Sequence, residues 1–212
     1  MTTKRADPKA VFINCPFDGA FLPLFHSIIF SVVRCGFQPR CALEVNNAAQ
    51  VRIEKIAAII KECPIGIHDI SRTEADSINQ LPRFNMPLEL GLYLGARYYG
   101  GRAHKEKACL ILDREPYRYQ KFISDIAGQD ISTHGDDQEQ AIDAVRNFLN
   151  GLNGPRPLPE GKNIWGEYQD FQAALPSICK RLEISPAKLQ YQDFLYIVTD
   201  YVSEDDPPSG TQ

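Results

Sequence analysis

The sequence lacks the motifs that mark several large classes of enzyme and metalloprotein. It contains no P-loop, no GxGxxG after the first apolar segment and no GxSxG, which disfavours kinase, NTPase, classical dehydrogenase and serine hydrolase chemistry. No CxxC pair occurs, and the four histidines are far apart in the chain, which disfavours a zinc site. We therefore expect no metal and no resident cofactor.

The sequence also has few features that would direct it into or across a membrane. The segment Met1-Thr2-Thr3-Lys4-Arg5 has no apolar signal region, and no apolar run approaches the length of about 20 residues that a membrane helix needs. The six cysteines stand singly in apolar stretches, as reduced core cysteines do. The sequence predicts a cytoplasmic protein with no membrane partner.

The balance of charge gives no long-range attraction for nucleic acid. The chain has 23 Lys and Arg against 27 Asp and Glu, for a net charge of −4. A polyanion-binding surface needs local clusters of basic residues, and the basic residues here are scattered along the sequence. We expect a small ligand rather than nucleic acid.

Apolar segments of strand length alternate with segments of helical periodicity over most of the chain. The predicted strands span residues 10–15, 38–43, 64–70, 108–112 and 129–132. The predicted helices among them span residues 21–35, 51–63, 85–96, 117–127 and 138–152. Because strands joined by helical crossovers run parallel, the predicted fold class is α/β. The simplest arrangement is a doubly wound parallel five-stranded sheet of the flavodoxin-like kind, in the order 2-1-3-4-5.

A second, helical part is predicted after this α/β domain, which we place at residues 8–152. Residues 153–162 are rich in Pro and Gly and predict a loop. A C-terminal helical extension is predicted at residues 163–203. Its aromatic residues favour packing onto the core or onto a partner, and we expect a homo-oligomer or a partner protein bound through these helices. The aromatic residues of the extension are Trp165, Tyr168, Phe171, Tyr191, Phe194, Tyr196 and Tyr201.

The predicted topology indicates where a ligand would bind. In a doubly wound sheet, ligands bind beyond the carboxyl ends of the strands, at the point where the strand order reverses. That point lies between the first and third strands. Their ends bring Cys15, Pro16, Phe17, Asp18, Asp69, Ser71 and Arg72 together. His68 should point to the opposite face from Asp69 and serve the structure.

The segment from Arg83 to Gly91 is the most informative in the chain. Asn85 is a good helix N-cap, and Pro87 fits the first turn, where a missing N–H costs nothing. Glu89 then lies one turn into the helix, on the same face as Asn85. A purely structural interpretation also exists, because Glu89 could merely complement the positive end of the helix dipole and Asn85 could merely cap it.

The other candidates have two interpretations as well. Asp69, at a strand end, could cap the turn that follows it. Arg72 and Arg83 could be ordinary surface residues, or they could neutralise a phosphate group. Cys15 would be of chemical interest if it were exposed and its thiol pKa were low.

Three features together carry a resemblance to a known group. They are the opening Val11-Phe12-Ile13-Asn14-Cys15-Pro16-Phe17, then Asp69-x-Ser71, then Asn85-Met86-Pro87-Leu88-Glu89-Leu90-Gly91. In this order they resemble nucleoside 2-deoxyribosyltransferases and bacterial Toll/interleukin-1-receptor-like (TIR-like) domains, over roughly residues 10 to 150. The opening is similar to that of the deoxyribosyltransferases, and it departs from the TIR opening, in which Ser and Tyr follow the strand. Residues after Gly154 match neither group.

The resemblance implies cleavage of an N-glycosidic bond. In both groups a glutamate near the start of the helix attacks or stabilises the anomeric carbon, a role that would fall to Glu89. Asp69 would then orient the ribose or assist the leaving base. The most specific expectation is a TIR-like NAD hydrolase, with NAD as substrate and a role in bacterial antiviral defence. Base exchange or hydrolysis on nucleosides, and a nucleotide sensor without turnover, remain the alternatives.

Overall fold

The chain forms one five-stranded parallel sheet with helices on both faces. The structure, a computed structural model, describes residues 7–44, 47, 49–75 and 80–205. The strands are β1 (Ala10–Asn14), β2 (Gln38–Arg40), β3 (Ile65–Asp69), β4 (Ala108–Asp113) and β5 (Ile131–Thr133). Their order is β2-β1-β3-β4-β5, and every neighbouring pair is parallel. The predicted flavodoxin-like α/β fold and strand order are confirmed.

The helices pack in two layers because alternate strand residues face opposite sides of the sheet. The helices are α1 (Leu22–Arg34), α2 (Arg52–Glu62), α3 (Asn85–Tyr99), α4 (Arg102–Lys105), α5 (Gln138–Leu152), α6 (Gly161–Arg181) and α7 (Tyr191–Asp205). Val11, Ile13 and Ile67 pack with α1 and α5 in one core. Ala10 and Phe12 pack with α2 and α3 on the other face.

Local interactions and backbone conformation determine where helix α1 begins and ends. The Asp18 carboxylate accepts hydrogen bonds from the backbone N–H groups of Ala20 and Phe21, at 3.1 Å each, just before the helix. After the helix, Gly36 has a φ of +75°, a conformation that side chains disfavour. The chain then turns directly into β2. Before the helix, the segment 15–21 joins the end of β1 to α1 and therefore lies at the carboxyl edge of the sheet.

The C-terminal helices continue the core of the α/β unit. Tyr168, Phe171 and Phe194 are fully buried together with residues of α1 and α5. The Tyr191 hydroxyl donates to the carbonyl oxygen of Pro39 at 2.9 Å, which ties α7 to β2 at the edge of the sheet. Most of the aromatic residues of the predicted extension therefore pack onto this chain itself. Tyr196 is different, since 62% of it is exposed.

The predicted helix at 117–127 is wrong. Two short 3₁₀ turns, Arg118–Lys121 and Ser124–Ile126, occupy this segment instead. Tyr117 has a left-handed φ of 59°, and the Arg118 side chain enters the core to bind Asp113 at 2.8 Å. This buried ion pair sets the path of the segment and overrides its helical periodicity.

The other predicted boundaries shift by a few residues. The C-terminal extension, predicted at residues 163–203, begins slightly earlier with α6 at Gly161, and a 3₁₀ turn at Pro186–Lys188 separates α6 from α7. Helix α7 continues past the predicted end of this extension as far as Asp205, and residues 206–212 lie outside the described residues. None of the helices in the described part of the chain is long and apolar enough to cross a membrane.

Candidate active site

A cavity of about 460 Å³ opens at the carboxyl edge of the sheet, beside β1 and β3. Its walls are formed by Pro16, Phe17, Asp18, Arg52, Arg72, Arg83, Asn85 and Met86. Six of the eight residues predicted to bind substrate are in this wall, and the other two, Cys15 and Ser71, are buried. Three arginines against one aspartate make the wall cationic. Its size is within the range of about 300–1,000 Å³ that is typical of small-molecule sites.

Glu89 is buried and does not itself line this cavity, but its carboxyl group interacts with the charge of Arg52 in the cavity wall. It follows Asn85 by one helical turn on the same side of α3, and only 4% of it is exposed. Burial raises the pKa of Glu89 from 4.5 to about 7, and the charge of Arg52 opposes this shift. No described residue donates a hydrogen bond to its carboxylate. The side chain is therefore able to change its protonation state near neutral pH.

Asn85 does not cap α3, which corrects the sequence prediction. The helix begins at Asn85 itself, Phe84 occupies the cap position, and no side chain accepts a hydrogen bond from the first turn. The first turn is instead held by Asn14, whose Nδ2 donates to the carbonyl oxygen of Met86 at 3.0 Å. This contact leaves the Asn85 side chain exposed in the cavity wall, where it is available to a ligand.

His68 joins Asn14 in a neutral hydrogen-bonded pair under α3. Asn14 Nδ2 lies 3.1 Å from His68 Nδ1, and burial lowers the pKa of His68 to about 3. A Cβ at Gly66 would approach His68 Nε2 to 2.6 Å and the Tyr93 ring to 2.9 Å, so residue 66 has to be glycine. His68 belongs to the same face as Phe12, opposite Asp69, and its surroundings are those of a structural residue.

Asp69 is fully buried, and both of its carboxylate oxygens are occupied. Oδ1 accepts from the Ser71 backbone N–H at 2.9 Å and from Ser71 Oγ at 2.5 Å. Oδ2 lies 2.9 Å from His134 Nε2. His134 Nδ1 accepts from the Asp136 backbone N–H at 3.0 Å, so Nε2 carries the proton and donates it to Asp69. This arrangement links the ends of β3 and β5.

Arg72 is positioned by a second buried network. Arg118 Nη2 donates to the Ile70 carbonyl oxygen at 2.7 Å, and Nη1 donates to Thr73 Oγ1 at 3.0 Å. Arg118 is itself fixed by the carboxylate of Asp113, whose pKa burial raises despite that pairing. The strand-end segment that carries Arg72 into the cavity wall is thereby held on both sides of Arg72.

Cys15 lies among the carboxyl groups of this edge, but it is not a reactive thiol. It is 1% exposed, and its pKa is raised well above the ordinary value by burial and then by the charges of Asp69 and Glu89. A thiol with a raised pKa has little thiolate and hence little nucleophilicity at neutral pH. Arg83, whose side chain is 61% exposed, lies 4.0 Å from Asp18 at the rim of the cavity.

Four further residues at this edge were not among the predicted site residues: Arg52, Asp113, Arg118 and His134. Asp113 directly follows the fourth predicted strand and His134 lies two residues beyond the fifth, so the rule that selected Asp69 would also have selected them had it been applied to these strands. Arg52 opens a predicted helix that follows the second strand, and the same topology places it at this edge. No pattern in the sequence points to Arg118. In the part of the chain that the structure describes, no group of three or more His, Cys, Asp or Glu residues could hold a metal ion.

Comparison with protein-family models, with curated proteins and with solved structures gave no significant match. The function has to be inferred from the chemistry of these residues.

Proposed function

We propose that this protein cleaves the N-glycosidic bond of a nucleotide, with NAD as the substrate. The observation that carries the proposal is Glu89, a buried carboxyl group with no hydrogen-bond partner among the described residues, one helical turn from Asn85 in the wall of a cationic cavity. An acidic group that is buried without a partner costs stability. Such a cost is characteristic of groups retained for their chemistry.

The chemistry assigned to Glu89 is stabilisation of positive charge on the sugar. As the bond between the anomeric carbon and the nicotinamide nitrogen breaks, its electron pair neutralises the cationic ring, and the anomeric carbon acquires oxocarbenium character. An ionised carboxylate beside that carbon stabilises the developing charge. Water then adds to the anomeric carbon and releases a proton. The products are nicotinamide, ADP-ribose and a proton.

The cavity wall offers groups that fit the rest of a nucleotide. Arg52 and Arg72 would neutralise phosphate oxygens, and the Phe17 ring would pack against a base. Asp18 and Asn85 would accept hydrogen bonds from ribose hydroxyls. The abundance of arginine favours a phosphorylated ligand over a free nucleoside, and hence NAD over the deoxyribosyltransferase alternative.

Asp69 takes a different part in this proposal from the one suggested by the resemblance. Both of its oxygens are engaged with Ser71 and His134, and it is fully buried. We therefore assign it a positioning role, in which it holds the strand-end segments that carry Arg72 and Asp136. Glu89 remains as the catalytic residue of the proposal.

The direct experiment is incubation of the purified protein with NAD, while free nicotinamide is followed by chromatography. We expect release of nicotinamide that is lost in Glu89→Gln. Parallel incubations with deoxynucleosides test base release and base exchange, and a series of protein concentrations allows for activity that requires assembly. Absence of release at every concentration would contradict the proposed turnover and would favour a nucleotide sensor.

The pH dependence of kcat/KM distinguishes the class of leaving group. Nicotinamide leaves without needing a proton, so the active form has Glu89 ionised, and the rate should rise with pH through about 7. A purine or pyrimidine needs a general acid, and if Glu89 supplied that proton the rate would fall through the same pH. The direction of the profile therefore decides between them.

A further inference from the structure

A second cavity of about 380 Å³ lies next to the first, on the other side of the turn that leads into α1. Residues 16–18 of this turn line the first cavity, while Phe21 and Pro23 line the second. The opposite wall of the second cavity is formed by Asp136, by Gln138 at the start of α5 and by Trp165 of α6. The proposed function does not use these residues.

Arg72 belongs to the walls of both cavities. Its Nε is buried without a hydrogen-bond partner among the described residues, while 31% of the side chain is exposed. Its Nη2 lies 3.7 Å from Asp136 Oδ1, too far for a hydrogen bond. The guanidinium group thus retains donors for a ligand at the boundary between the two cavities, in a segment that Arg118 holds in place.

The two cavities offer the same pair of chemical groups. The first has an aromatic ring and a carboxylate in Phe17 and Asp18. The second has them in Trp165 and Asp136. A ring suits a base, and a carboxylate suits the hydroxyl groups of a ribose. With Arg72 between them, the two cavities match a molecule made of two nucleosides joined by a diphosphate.

We infer that the ligand of this site is a dinucleotide that spans both cavities, with its diphosphate on Arg72 and its second base against Trp165. This inference rests on the proposed function, because it places the reacting nucleoside in the first cavity, beside Glu89. It also gives the C-terminal part of the chain a role in specificity, since α6 supplies the residue that recognises the second base.

The test compares NAD with nicotinamide mononucleotide, which is the reacting half alone. Binding is measured by calorimetry in the full-length Glu89→Gln protein, so that turnover does not interfere. NAD should bind more tightly than the mononucleotide. Adding Trp165→Ala should weaken NAD binding about tenfold, the loss expected for one base–aromatic stack, and leave mononucleotide binding unchanged.

Two further variants keep the test decisive. Asp136→Asn removes the carboxylate charge, and asparagine tolerates the left-handed φ of 57° at this position. This variant should also weaken the binding of NAD selectively, and it provides the test of the second cavity if Trp165→Ala fails to fold. Tyr196→Ala is the matched control, because Tyr196 is an aromatic residue of α7 that is exposed and outside both cavities; it should change neither affinity.

The outcomes separate this inference from the proposed function. Equal affinity for NAD and the mononucleotide, or equal losses for both in Trp165→Ala and Asp136→Asn, would overturn the spanning dinucleotide even if the wild-type protein releases nicotinamide. Selective binding of NAD without any turnover by the wild-type protein would support the second cavity and overturn the proposed hydrolysis. Failure to bind either compound would overturn the inference.

Discussion

Glu89 and Asp69 are both buried at the same edge of the sheet, yet their surroundings differ. Asp69 is fully buried with its two oxygens engaged by Ser71 and His134. Glu89 is nearly as buried, but no described residue donates a hydrogen bond to it, and burial raises its pKa to about 7. Buried carboxylates ordinarily have partners. The carboxylate with partners holds the fold, and the one without them is the candidate for chemistry.

The largest expected effect is the separation of activity from stability at Glu89. Glu89→Gln keeps the size of the side chain and removes its charge, so nicotinamide release should fall by about a thousandfold or more. The melting temperature at neutral pH should not fall, because the variant loses no hydrogen bond. Circular dichroism and thermal unfolding provide the control. A variant that keeps its activity would remove Glu89 from the mechanism.

Asp69→Ala should show the opposite pattern. It removes the acceptor for Ser71 and His134 in the interior, which should lower the free energy of unfolding by about 3–5 kcal/mol. Urea denaturation measures this loss. Ser71→Ala is the milder companion, because it removes one donor and leaves Asp69 bonded to His134 and to a backbone N–H. A stable Asp69→Ala protein with no activity would instead assign Asp69 to the chemistry.

The course of the sheet could be predicted because its signals are local. Each strand is a short apolar run next to a segment of helical period, and that alternation admits few parallel topologies. The segment 117–127 has helical periodicity too, but its Arg118 side chain donates to the carbonyl oxygen of Ile70, which follows β3 and lies 48 residues earlier in the chain. That contact is visible only after folding, so the sequence could not reveal it.

The candidate site was predictable to the extent that topology determines it. Strand ends converge on one edge, which is why Phe17, Asp18 and Arg72 could be grouped before their distances were known. The cap at Asn85 was predicted wrongly because Asn14, distant in the chain, holds the Met86 carbonyl oxygen and so orients the first turn. The partners of Asp69 depend on how β5 returns to the sheet, which no local pattern specifies.

A pH series sharpens the contrast at Glu89. An unfolded chain ionises this group near 4.5, whereas the folded chain retains the proton up to about 7. Ionisation therefore favours the unfolded state, and the stability of the wild-type protein should fall relative to Glu89→Gln as the pH rises from 4.5 to about 7. The difference in the free energy of unfolding between the two proteins should grow by about 2–3 kcal/mol over this range, at roughly 1.4 kcal/mol per pH unit. A constant difference would mean that Glu89 is solvated.

The smallest expected effect is at the rim of the cavity. Arg83 is 61% exposed on its side chain and lies 4.0 Å from Asp18, so solvent screens its interaction with a bound phosphate. Arg83→Gln should raise KM for NAD about threefold and leave kcat unchanged. Arg72→Gln, in the wall between the cavities, should raise KM for NAD about tenfold or more. Steady-state kinetics at two salt concentrations measures both. If Arg83→Gln raises KM more than Arg72→Gln does, the phosphate lies at the rim, and the ligand does not cross from one cavity to the other.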